Sequence, residues 1–338
     1  MWKLLGTVAA VALLLIIAIS EKVATSHTKE LVVAAPGGSY THALKVHIAS
    51  FEAQNEVKVR FIPSSGADAL TKARAKQVDV IHADLAWGFR GEADGLFEKL
   101  DPAIVTNLST LYPKARFSDY GVITNFGQYG IAYNPKMVNT PPTSWYALLQ
   151  PEYKGRVTTA GFDDANVELL VLFAKMNGGR EENIDAGFKK MAQLSQNISV
   201  FYSSHPQLLD LFRSGDVWMA RWLRGRVKWA DNQGIELKFG VPREGAIALV
   251  STAHVVKDRP NTILAMKFLN YLLSKECETV YAKDLGYTPS RADLDLNSQH
   301  IDVPYGADTV NSLVMADWRK VTPKLDAWKE RWDKEIAR

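Results

Sequence analysis

The chain has 338 residues and one cysteine, Cys277, so no disulfide can form within it. A lone thiol inside a helical pattern reads as a buried, inert side chain. Long basic blocks are missing too. Lys and Arg (40) and Asp and Glu (37) are interspersed and leave a formal net charge of +3, which gives no footprint for nucleic acid. There is no internal repeat and no low-complexity tract. The nucleophile motif GxSxG and the zinc motif HExxH do not occur. Seven histidines are present, but His42 and His47 lie near one helix face and His82 ends a strand, with no nucleophile beside them at a recognisable spacing. A secreted hydrolase is therefore supported by composition alone.

After residue 20 there is no second long apolar run. Before it, Lys3 precedes an apolar stretch over 4–19, and Ala18 and Ser20 sit three and one before a cut site, the pattern of a secretory signal. That stretch is short of the roughly 20 residues a membrane span needs. The expectation is cleavage after Ser20 and export to the periplasm, with an uncleaved anchor as the alternative. A chain of this length, 47% hydrophobic, exceeds what one core usually serves, so two lobes are expected.

Beyond the signal, strand-like and helix-like segments alternate. Residues 31–35 form a short apolar run ending at Pro36-Gly37-Gly38, after which Tyr40, Leu44, Ile48 and Phe51 recur at helical spacing. A strand over 57–62, the turn Pro63-Ser64-Ser65-Gly66, a helix to about residue 76 and a strand over 78–82 follow. This β-α-β-α-β order implies a parallel sheet covered by helices. Ligands of such sheets sit beyond the strands' carboxyl ends, which nominates residues 36–40, including Gly38 and Ser39, then 64–66 and 83–87. A second unit has strands over 157–159, 199–202 and 217–220 and helices over 164–176 and 206–212. A long strand over 247–256 and a helix over 262–274 lead back to the first. The chain then crosses between lobes near 127–133 and 247–252. The tail reads as helices over 310–315 and 321–336.

The ordered stretches GIAYNP, PPTSWYALLQPEYKGRV, LLDLFRSGDVWMARW, AMKFLNYLLSKE and LGYTPSR resemble an extracellular solute-binding protein of a bacterial ABC importer, close to the spermidine/putrescine-binding group. The resemblance runs from about residue 31 to residue 291. It implies a periplasmic-binding-protein-like α/β fold whose two lobes are joined by crossing hinge strands, with the ligand cleft between them. The divisions are then a signal over 1–20, lobe 1 over 30–127 plus 253–290, and lobe 2 over 128–252 plus 291–338. FGQYGIAYNP over 126–135 becomes a hinge strand, with Gly127 and Gly130 supplying backbone freedom; the other reading makes it a central strand of one large sheet. The implied function is capture of a small solute by lobe closure and delivery to an inner-membrane permease, by a monomer that needs no cofactor and performs no chemistry. A ligand sensor for a membrane receptor shares every one of these features.

The resemblance places an aromatic against the ligand at Tyr40, a carboxylate for an amine at Asp164, a cleft tryptophan at Trp222 and a loop aromatic at Tyr287. Ser65 and Gly66 open a helix whose free N–H groups accept polar atoms, and Asp84 follows a strand end, with Trp87 nearby. Asp163 and Asp164 also suit the helix dipole as caps. On the second crossing strand, where polyamine binders present a tryptophan and an aspartate, this chain carries Leu249 and Ser251. Arg221 and Arg224 flank Trp222, and a guanidinium suits a carboxylate or phosphonate, so an anionic organic acid or phosphonate stands as the alternative to an amine. Ferric-iron binders of this kind use adjacent tyrosines. No Tyr-Tyr pair occurs here, so no metal is expected.

Overall fold

A computed structural model describes residues 29–337; the expected signal segment lies outside them. The first unit runs β1 (Lys29–Ala35), α1 (Ser39–His47), α2 (Ala49–Asn55), β2 (Val57–Pro63), α3 (Gly66–Arg74), β3 (Val80–Asp84) and α4 (Leu85–Ala93). β1 lies between β2 and β3, parallel to both, as the alternation predicts. The long strand β4 (Val122–Tyr133) follows. Next come β5 (Val157–Thr158), α5 (Asp164–Met176), α6 (Asp185–Ser195), α7 (His205–Ser214), β6 (Met219–Leu223), α8 (Arg224–Asn232) and β7 (Lys238–Gly240). The return strand β8 (Ile247–Val255) leads to α9 (Thr262–Leu272), α10 (Lys275–Leu285) and β9 (Thr288–Pro289), and the tail forms α11 (Ala307–Ser312), α12 (Trp318–Val321) and α13 (Leu325–Glu335).

Helix starts follow side-chain chemistry. Ser65 Oγ accepts from Asp68 N at the head of α3, Ser204 does the same for Gln207 N at α7, and Ser274 for Cys277 N at α10, each satisfying a donor that the first helical turn leaves open. Cys277 is buried and burial pushes its thiol up to about 12, in keeping with an inert side chain.

The nine strands of the described residues belong to one sheet of order β2-β1-β3-β8-β4-β6-β5, with β7 and β9 also on β4. β4 joins the halves. Its start pairs antiparallel with β8 from Val122↔Ala253 to Tyr129↔Ile247, and its end with β6 from Tyr129↔Leu223 to Tyr133↔Met219. One apolar cluster runs from Val33, Phe51 and Phe268 through Val122, Phe126 and Val250 to Phe173, Phe188 and Trp332. No helix among the described residues is long and apolar enough to cross a membrane.

Four expectations need correction. Residues 199–202 form no strand and make only isolated bridges, Ala160↔Tyr202 among them. The strand expected over 217–220 is β6, which extends to Leu223 and takes Trp222 inside it. The tail does not pack on the second unit alone. Lys114 Nζ donates to the Leu313 carbonyl, Arg319 lies 4.5 Å over the Phe89 ring, and Lys324 Nζ donates to the Glu181 carbonyl, so the tail clasps both units. Gly127 and Gly130 have no left-handed backbone. They are small because neighbours are close: a Cβ on Gly130 would stand 2.5 Å from Phe239 Cζ and 2.6 Å from the Gly240 carbonyl oxygen.

Gly130→Val should therefore lower stability by about 1–3 kcal/mol through overpacking, read as a lower urea midpoint. An unchanged midpoint together with weakened solute binding would restore the hinge-freedom reading.

Candidate functional site

A cleft of about 420 Å³ opens where the carboxyl ends of β1–β3 face the start of α5. Ser65 and Gly66 line it from the head of α3, Asp84 and Trp87 from the β3–α4 junction, and Asp163, Asp164 and Glu168 from the other side. Tyr129 and Leu249 come from the crossing strands β4 and β8, and Trp318 from the tail. Gly66 lets the indole in, since a Cβ there would stand 2.2 Å from Trp87 Cδ1.

The two adjacent aspartates have different occupations. Asp163 caps α5, with Oδ1 accepting from Asn166 N at 2.7 Å and Oδ2 accepting from Arg221 Nη2 at 2.8 Å. Arg221 is fully buried. Its Nε donates to Thr159 Oγ1 and Asn166 Oδ1, and its guanidinium lies 4.7 Å from the centre of the Tyr129 ring. Asp163 is thus already paired with a cation through Nη2, while Arg221 Nη1 is buried without a partner. Asp164 begins the helix beside it and has a carboxyl held well above its usual range by burial and then by the charge of Asp84. Asp84 makes no side-chain capping bond to α4; burial, then Asp163, pushes it up to about 6. One turn beyond Asp164, Glu168 accepts from Ala316 N at 2.5 Å and Trp318 Nε1 at 2.6 Å, and burial pushes it up to about 8. A desolvated carboxylate without a counter-ion takes a proton; a cation in the cleft would replace it. Among the described residues, no group of three or more His, Cys, Asp or Glu is placed to hold a metal ion.

Ser65, Gly66, Asp84, Trp87, Asp163 and Asp164 are brought together; other expected residues are not. Trp222 is fully buried in the core formed with Leu208, Phe212 and Trp229, and its Nε1 donates to His205 Nδ1 at 3.0 Å. Successive strand residues face opposite ways, so on β6 the residue turned toward Asp163 is Arg221. Arg224 stacks 4.8 Å over Phe239. Tyr40 is buried in the first unit, with its OH 2.6 Å from His82 Nε2 and its ring stacked on Tyr281. Tyr287 lines a separate pocket of about 120 Å³ with Arg226 and Trp229. Ser251 is buried opposite Asp84 in the β3–β8 pairing. Gly38 caps α1 at φ 71° with Ser39 as that helix's first residue, and of this turn Pro36 reaches the cleft. Sequence reasoning missed Glu168, Tyr129 and Trp318. Glu168 carried a signal, because four residues past Asp164 is the same helix face. Trp318 carried none.

An α/β fold with an acidic, aromatic cleft at the crossing strands defines a solute-binding class of protein. Residues 47–305 match the bacterial extracellular solute-binding protein family, and the chain belongs to it. It is 27% identical over 224 residues to the spermidine/putrescine-binding periplasmic protein of Escherichia coli (strain K12), a match covering 62% of each chain. To the putative 2-aminoethylphosphonate-binding periplasmic protein of Salmonella typhimurium (strain LT2) it is 23% identical over 302 residues, 86% of each. The fold matches the crystal structure of an ABC transporter from Clostridium perfringens ATCC 13124 at a TM-score of 0.80 and 24% identity, over 90% of this chain and 99% of that one.

Asp84 makes a pH prediction. Its carboxyl is raised from an ordinary 3.8 to about 6, so between these values the unfolded chain loses a proton that the folded one keeps. Its contribution to stability is full below about 3.8 and lost as pH rises through about 6. The melting temperature of the ligand-free protein relative to Asp84→Asn should fall across that window. A constant difference would contradict the raised carboxyl.

Proposed function

We propose that this chain is the solute-capturing subunit of an ABC importer and works in the periplasm as a monomer without enzymatic activity. Its cargo is a small solute bearing an ammonium group. One observation carries the charge assignment: Arg221 Nη2 is paired with Asp163, while Asp84 and Asp164 face one cleft from opposite sides with no lysine or arginine lining it, and the one histidine there, His82, is kept neutral by burial. The halves on either side of the β4–β8 crossing then act as two lobes that close on the ligand, because contact with both favours the closed arrangement. The closed form is what a permease recognises. The relatives' names, one a polyamine binder and one an aminoethylphosphonate binder, agree with an amine in the cargo. Trp87, whose ring carries the Arg90 guanidinium at 5.7 Å, adds an aromatic wall to the cleft.

A zwitterion is the second reading, favoured by one feature. The head of α3, with Ser65 and Gly66, enters the same cleft, and helix N–H groups accept an anionic end.

Removing one partner of a buried charge contact costs several kcal/mol. Asp84→Asn and Asp164→Asn should each weaken putrescine binding by at least about tenfold in calorimetry, while Arg224→Gln changes little. If the arginine substitution abolishes binding and both aspartate variants bind normally, the cargo is an anion.

A further inference from the structure

Gly225 is the second residue of α8, inside a helix, where glycine is disfavoured relative to alanine. Its backbone needs no glycine, since it is absent from the left-handed region. What surrounds it does. A Cβ at Gly225 would stand 2.4 Å from the Leu285 carbonyl oxygen and 3.7 Å from Gly286 Cα, and a Cβ on Gly286 would stand 3.1 Å from Gly225 Cα. Gly286 is the left-handed cap of α10, at φ 69°. The two residues come from opposite units that share the strand β4: α8 packs on β4, β6 and β7, and α10 on α1, α9, β9 and β4. Backbone therefore meets backbone across the boundary.

We infer that Gly225 and Gly286 are positioning residues for ligand capture, forming the contact at which the two lobes stop when the cleft shuts. The inference rests on the two-lobe reading above. The contact lies at the edge of a surface pocket of about 500 Å³ lined also by Lys228, Trp229 and Asp284, outside either core. Tyr287 follows Gly286 directly, and its Cε1 is 3.3 Å from where a Gly127 Cβ would be. Fixing the Gly286 backbone against α8 thus also fixes an aromatic ring against β4. A side chain at position 225 would hold the lobes apart by acting as a wedge, with no charge or hydrogen bond changed.

The test uses Gly225→Ala and Gly225→Val in the full chain. Small-angle scattering is recorded without ligand and with millimolar putrescine, alongside melting temperature and putrescine dissociation rate. Both variants should stay folded, with a melting temperature lowered no further than that of Gly130→Val, which meets a backbone carbonyl at a similar distance. Gly225→Val should show a larger radius of gyration than wild type in at least one condition and release putrescine about tenfold faster, with Gly225→Ala between. Scattering that superposes on wild type in both conditions overturns the inference, and so does loss of fold in Gly225→Ala, which would make the contact part of a core. If wild-type protein ignores putrescine, the amine reading fails, and the comparison is repeated with γ-aminobutyrate and succinate: expansion of Gly225→Val in the condition that compacts wild type supports the stop, superposition there removes it, and a wild type that none of the three compacts removes the two-lobe reading it rests on.

Discussion

The ion pair between the fully buried Arg221 and the partly exposed Asp163 is the interaction on which the rest depends. It reaches from the middle of β6 to the head of α5, uses Thr159 and Asn166 to satisfy Nε, and rests on Tyr129 of β4. Four pieces of chain are thereby held in one arrangement. Removing Asp163 would leave the Arg221 guanidinium buried without its counter-charge, a change that typically costs about 3–5 kcal/mol in fully buried pairs and less here, where Asp163 is partly exposed. The pair's second effect is electrostatic. Two adjacent acids would otherwise share the cleft, and the pair leaves one of them, Asp164, to face Asp84.

Geometry outside the pair follows the same logic. β4 and β8 carry backbone pairing from one half to the other, so the cleft walls are tied to a common spine. The tail adds a second tie. Its Trp318 and Ala316 hold Glu168 at the cleft, while Arg319 lies on Phe89 of α4 and donates from Nη2 to the Phe117 carbonyl. A third carboxylate is in this way placed one helical turn from Asp164, and its burial keeps it protonated until a counter-ion arrives.

Much of the fold was legible because periodicity reports burial directly. The β-α-β-α-β order of the first unit, the long crossing strands and the helix after β8 all follow from alternation and three- or four-residue spacing, although the single helix expected after β1 is two, α1 and α2. Asp84 and Asp164 reach the cleft because strand ends and helix starts are where such sheets present ligands. The failures share a cause. Ending β6 at residue 220 instead of Leu223 puts Trp222 on a loop; inside the strand, one residue decides which face a side chain occupies, and Trp222 and Arg221 exchange roles. Trp318 and the Gly225–Gly286 contact join residues far apart in the chain, and no local pattern records such a meeting.

The central claim is that the cleft selects positive charge. Calorimetric titration of one sample with putrescine, γ-aminobutyrate and succinate compares a dication, a zwitterion and a dianion on the same four-carbon chain, so that length and apolar area stay nearly constant. Heat of binding is expected for putrescine or γ-aminobutyrate and none for succinate. Succinate binding more tightly than both would contradict it.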